Sequence, residues 1–266
     1  MLGKLMKYEL KATGRIMLPL YGSMIIMAFL CHFSVNYLSR QPFRFSGLIN
    51  VLLISVFTLL TIAVGFMTVF LMAQRFYGNL LGDEGYLMFT LPVTVPGNIF
   101  SKLLVSIIWF FASVLSGFLS FFIVSFRVEY IIQFFRSLKS FFESLTPYYG
   151  LHGFLALLEM FVFLVVCMAA AVLVVYASIA IGHRFSSHRV LFSFVFFIGI
   201  MIASQIAAFI GIVILRSVDL QSIIMHLNEI SGFHLVMLAL IAAFTIYGAI
   251  FYFVTSKILN NHLNLD

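Results

Sequence analysis

Six uninterrupted apolar runs decide what this chain can become. They cover roughly residues 16–38, 47–73, 97–125, 150–181, 190–214 and 234–256. Each exceeds the ~20 residues a helix needs to cross about 30 Å of hydrocarbon. A barrel strand would show about 10 residues of alternating character instead. Continuous runs point to helices, whose backbone hydrogen bonds close within each segment and leave no polar group facing lipid. Only 9% of the 266 residues are charged and 63% are hydrophobic. A soluble core needs a far more polar covering, with about 25% charged residues as the usual figure. The reading is therefore an all-α polytopic membrane protein, one transmembrane domain over residues 1–266 with six transmembrane helices.

The fourth run is longer than a span requires, which predicts tilt or a projection into water. The first follows a basic lead with no small-residue cleavage site behind it, so it reads as a retained span rather than a signal peptide. Cys31 and Cys167 both fall inside apolar runs and read as buried free thiols. The net charge of +6 is scattered over loops, which favours a topological cause over nucleic-acid binding. With both termini inside, Lys4, Lys7, Lys11, Arg15, Arg75, Lys102, Arg184, Arg189 and Lys257 are cytoplasmic. Arg40, Arg44, Arg127, Arg136, Lys139 and Arg216 are then outside. The excess of cationic residues inside, led by the dense N-terminal group, sets this orientation.

Two stretches outside the spans are amphipathic. In residues 2–13, Leu2, Leu5, Met6, Glu9 and Leu10 share helical spacing while Lys4, Lys7 and Lys11 occupy the other face. That pattern predicts a short interfacial helix whose lysines meet anionic headgroups. In residues 127–149, Val128, Ile131, Ile132, Phe135, Leu138, Phe142 and Leu145 form one face, with charges opposite. This predicts an outer amphipathic helix stopped by Thr146-Pro147. A weaker version occupies 216–231. There is no convincing internal repeat and no low-complexity tract.

Enzyme signatures are missing: no phosphate-binding G-x-x-x-x-G-K-[ST] loop, no H-E-x-x-H and no G-x-S-x-G. His183 and His188 lack neighbouring ligands of the kind a metal needs, so no metal site is expected. Glu159 is the one acid deep inside a run. Such a carboxylate is either a functional proton or cation site, or a structural group bonded to a Ser or Thr of a neighbouring helix, and both readings stay open. The 33 phenylalanines suit lipid-facing helix surfaces, and any substrate path among them would be wide and apolar.

The segment "NLLGDEGYLMFTLPVT" (79–94) is rich in apolar residues yet too short to span. Gly78 and Gly82 can end the preceding helix. Asp83 suits an N-cap and Glu84 the positive first turn of a new helix. Leu91-Pro92 closes it, and Thr94 then caps the third span with Pro96 in its first turn. The result is a helix of one to two turns at the cytoplasmic face, whose apolar side chains, Tyr86, Leu87 and Phe89 among them, meet lipid headgroups or span ends as an interfacial re-entrant turn, or the groove of a soluble partner as a docking helix.

The stretch "RFYGNLLGDEGYLMFTLPVTVPGNIFSKLL" (75–104) resembles the segment between spans two and three of small bacterial ABC-2-type transporter permeases. "IGHRFSSHRVLFSF" (181–194) and "SKILNNHLNLD" (256–266) resemble the same family at corresponding places. Ser186-Ser187 departs from the pattern, where more basic residues are expected. The resemblance implies a permease subunit of an ATP-driven exporter in the bacterial cell membrane, paired with a second permease copy or a related permease. It implies a separate cytoplasmic ATPase holding ATP and magnesium, with no cofactor in this chain and no catalytic residue. It also implies short cytoplasmic coupling helices that dock on that ATPase. Asp83, Glu84, Tyr86, Leu87 and Phe89 take the coupling role, joined by Arg184 and His188. The implied cargo is an amphipathic peptide, drug or lipid. Two other functions remain open at this point: a non-transporting immunity or sensor protein, and a proton-coupled carrier using Glu159.

Overall fold

The computed structural model describes residues 2–37, 45–81, 94–126, 128–185, 188–217 and 229–261. These residues form seven helices: α1 (Leu2–Asn36), α2 (Ser46–Leu81), α3 (Val95–Val124), α4 (Val128–Tyr149), α5 (Leu151–Gly182), α6 (Arg189–Ser217) and α7 (Glu229–Asn261). All but α4 are long and apolar enough to cross a membrane, which marks a multi-pass membrane protein. The chain divides into two compact units: residues 1–74 with 104–140, and residues 75–103 with 141–266.

Every span but α5 is longer than its apolar run. Helix propensity continues past the hydrocarbon edge, and nothing in "AQRFYGNLL" stops α2 before Leu81. Residues 2–13, expected as a helix of their own, are instead the first turns of α1. The buried positions Glu9, Thr13, Met17, Tyr21, Met24, Ala28, Cys31 and Ser34 step by three or four, so one stripe runs unbroken through the expected boundary. Pro19 stays within the helix. Lys4, Lys7 and Lys11 are exposed.

In the first unit that stripe meets α2 and α3. Met17, Tyr21 and Met24 pack with Val64, Leu71, Val105 and Trp109. Gly14 lies under the Trp109 ring, where a Cβ would come within 3.6 Å. The Trp109 indole donates to Thr13 Oγ1 at 2.7 Å, and Thr13 spends its own proton on the Glu9 carbonyl. Tyr21 Oη lies 2.8 Å from Ser113 Oγ, Ser113 lies 2.7 Å from Thr68, and Thr68 donates to the Val64 carbonyl. With one proton per hydroxyl, Ser113 donates to Thr68 and accepts from Tyr21, whose hydroxyl also lies 3.2 Å from the Trp109 carbonyl. Three helices are thus tied by a satisfied chain of neutral bonds.

Helix α4 is amphipathic, but it does not stop at Thr146-Pro147; it runs on to Tyr149. Proline tolerates a last turn, and the break comes at Gly150, whose φ of +50° is a left-handed conformation that other residues adopt at a cost. In the first unit Phe134, outside the expected apolar face, packs on Phe118 and Phe122 of α3. Ile132, Phe135 and Leu138 stay exposed, as lipid-facing groups would.

In the second unit α5 packs against α6 and α7. One face of its C-terminal half is wholly internal: Leu173, Val174, Tyr176, Ala177, Ile179 and Ala180 are all buried. Ser204 of α6 gives its proton to Ile200 and so accepts from Tyr247 of α7 at 2.7 Å. Both cysteines are free, Cys31 buried and Cys167 half-buried.

Candidate functional site

The second unit gathers the end of α2, the start of α3, the end of α5, the start of α6 and the end of α7. Phe76, fully buried, stacks face to face on Tyr176 of α5 with ring centroids 4.0 Å apart and planes 9° apart. The next residue, Tyr77, meets His183 edge-on at 5.6 Å. Two successive aromatic residues on α2 therefore grip the last two turns of α5. On the far side Tyr252 of α7 donates to the Pro96 carbonyl at the start of α3, 3.2 Å away. Thr94 caps α3 as the sequence implies: its carbonyl accepts from Asn98 N–H at 3.1 Å and its hydroxyl from Gly97 N–H at 3.4 Å.

The chain turns tightly as it leaves α5. His183 N–H donates to the Ile179 carbonyl, Arg184 N–H to Ile181, and Phe185 N–H to Gly182. Gly182 is required there, since a Cβ would lie within 2.5 Å of Ser193 Cα. Phe185 then stacks on Phe192 at 4.3 Å. His188 opens α6 with φ of +53°, its carbonyl accepting from Phe192 N–H. Arg189 Nη1 lies 3.4 Å from His183 Nε2. Burial, and secondly the Arg189 charge, hold the His183 imidazole below its ordinary pKa. The neutral form of this ring is favoured, while Arg184 and His188 are exposed.

Asp83, Glu84, Tyr86, Leu87 and Phe89 lie outside the described residues. What the structure brings together is their flanks, with Arg184 and His188 on the adjoining turn. Sequence reasoning missed Phe76, Tyr77 and Tyr176. Their signal was slight, because aromatic residues near the ends of spans are common in any membrane protein. Buried among these ends, Asn98 has no hydrogen-bond partner for either side-chain polar atom.

Glu159 lies near the opposite end of the same unit. Its partner is neither serine nor threonine but His234 of α7, whose Nδ1 is 2.9 Å from Oε1 and 2.8 Å from Oε2. His152 brings a second imidazole, with ring centroids 5.5 Å apart. Among the described residues no three His, Cys, Asp or Glu side chains are grouped so as to hold a metal ion.

Compared with protein-family models, curated proteins and solved structures, the chain matches none.

Proposed function

We propose that this chain is the permease subunit of an ABC-2-type exporter in a bacterial cell membrane, with both termini cytoplasmic. A separate cytoplasmic ATPase supplies the energy. One observation carries the reading: Phe76 stacks on Tyr176 and Tyr77 meets His183, so the last turns of α2 run beside the end of α5. Two loops that must touch one partner have to emerge side by side. The missing phosphate loop agrees with ATP chemistry in another chain.

In this reading the coupling helix runs from its N-cap Asp83 to Leu91-Pro92, with Tyr86, Leu87 and Phe89 seated in the ATPase groove and Glu84 in its first turn. Arg184 and His188 add polar contacts from the neighbouring turn. Lys4, Lys7 and Lys11, exposed on the first turns of α1, meet anionic lipid at the inner surface. A second permease copy, or a related permease, completes a wide apolar path for an amphipathic peptide, drug or lipid.

Two measurements test this. The solubilised chain should co-purify with a P-loop ATPase. Replacing Tyr86 and Phe89 together by Ala should leave insertion intact while ATP hydrolysis no longer drives export. Export that survives removal of hydrolysable ATP and collapses with the proton gradient would overturn the proposal in favour of a proton-coupled carrier.

A further inference from the structure

Helix α6 carries one polar side chain that the rest of the chain leaves unanswered. Between Val190 and Ile214 its polar residues are Ser193, Ser204 and Gln205. Ser193 donates to the Arg189 carbonyl and Ser204 to that of Ile200, and Ser204 also accepts from Tyr247 of α7. Gln205 is exposed and makes no hydrogen bond among the described residues. It stands nine residues before Ile214, the nearer end of the apolar span, about 13 Å along the axis at ~1.5 Å per residue. A glutamine side chain is too short to cover that distance to water; only the long stems of lysine and arginine snorkel well. Its carboxamide therefore faces hydrocarbon, where an unbonded polar group is costly.

The residue also sits in a seam. Phe194, Ile198, Met201, Gln205, Ala208 and Ile212 follow one another by alternate steps of four and three, the period of a coiled-coil interface. All six are exposed. The seam lies about a third of a turn from Ser193 and Ser204, whose hydroxyls face α5 and α7, so contacts within the second unit leave it open. Lipid tails cannot hydrogen-bond, and helices associate in a membrane through packing and through bonds between polar side chains. Copies of one chain insert in one orientation, so a two-fold axis relating them runs along the membrane normal. Each seam residue then meets its own counterpart at equal depth. A carboxamide is its own complement: it carries N–H donors and a carbonyl acceptor, so two facing Gln205 side chains exchange two hydrogen bonds. One polar residue in an otherwise apolar heptad also fixes the register of the pair.

We propose that this face of α6, residues 194–212, is the surface on which two copies of the chain pair, with Gln205 bonded to Gln205 across the two-fold axis. Phe194, Ile198, Met201 and Ile212 supply the apolar packing, and Ala208 lets the two helices approach closely beside the amides. The inference deepens the proposed exporter and rests on that reading for its use, since there a second permease copy completes the path. The seam itself involves neither the coupling residues nor the ATPase, so the two ideas fail separately.

The test is oxidative cross-linking of the full chain, with Cys31→Ala and Cys167→Ala, in the membrane of the cells that express it. Ile198→Cys and Met201→Cys, with Gln205 intact, should form a disulfide dimer several-fold faster than Ala203→Cys, which lies at similar depth on the other side of α6. Self-association is then measured by dilution with phosphatidylcholine in vesicles. Gln205→Leu should weaken it by about three- to tenfold, and Gln205→Asn, which keeps the carboxamide, by less. Equal cross-linking at all three positions, as random collision gives, overturns the proposal, as does a Gln205→Leu chain that associates as well as the wild type. Should the cysteine variants fail to fold, the wild-type chain decides: it should pass from dimer to monomer as lipid is added, and a monomer at every dilution overturns the pairing. A chain that stays monomeric yet co-purifies with a P-loop ATPase overturns this seam and leaves the exporter standing. A Gln205-dependent dimer that binds no ATPase does the reverse.

Discussion

Both units join helices by neutral hydroxyl bonds, the second through Tyr247 and Ser204, but the second adds a carboxylate–imidazole contact. In the first, α1, α2 and α3 are tied by neutral donors and acceptors: Trp109 to Thr13, then Tyr21 to Ser113 to Thr68. Each proton is spent and none of the bonds changes with pH. In the second, the start of α5 is tied to α7 by Glu159 and His234, groups whose charge can change. Hydroxyl networks across membrane helices are worth little individually, about 0.6 kcal/mol on average, but they are constant. A carboxylate–imidazole pair is stronger in one protonation state than in the other.

The harshest way to break the comparison is Trp109→Ala. It empties a large buried site and strips Thr13 of its donor, at a cost of about 3–5 kcal/mol. Unfolding in nanodiscs should show the same loss at pH 5.5 and 8.5. Gly182→Ala comes next. The added Cβ meets Ser193, and overpacking of this kind costs about 1–3 kcal/mol, visible as faster proteolysis at the α5–α6 turn. A double-mutant cycle on Glu159 and His234 should give a coupling of about 1.5 kcal/mol, above that of a hydroxyl pair in the first unit. A coupling no larger than that of the hydroxyl pairs would place this contact in their class.

Tyr21→Phe is gentler, at about 0.6 kcal/mol. Ser113 keeps Thr68 as its partner, so nothing buried is orphaned, and pH should not matter. The smallest effect concerns His183, whose pKa is lowered in the folded chain. Unfolded, it takes up a proton near pH 6.5, before the folded form does. Stability from this residue is therefore complete above that pH and falls as acid is added, levelling off below the folded value. His183→Asn should flatten the acid side of the stability curve, measured by the same unfolding assay.

Local features were legible in the sequence. The spans could be read because burial in hydrocarbon depends on the residue and its near neighbours. Thr94 as a cap could be read because a cap bonds within three or four residues. The extent of α1 was misread at Thr13, where a face that looked fit for a membrane surface is the start of the stripe packed under Trp109. The stop of α4 was misplaced because Pro147 seemed stronger than Gly150. The central coupling residues, Asp83 to Phe89, lie outside the described residues, so their reading stands as proposed.

By itself the sequence determined that this is a helical membrane protein of six spans, with a basic leading end and a short acid-headed segment between the second and third. Those properties follow from hydropathy, charge and turn chemistry summed over adjacent residues. Only the tertiary structure decided that Phe76 faces Tyr176, that Thr13 answers Trp109 across 96 positions, and that Glu159 finds His234 across 75. Such pairings depend on which helix lies beside which, and on the rotation of each about its axis. No periodicity within one helix contains that information.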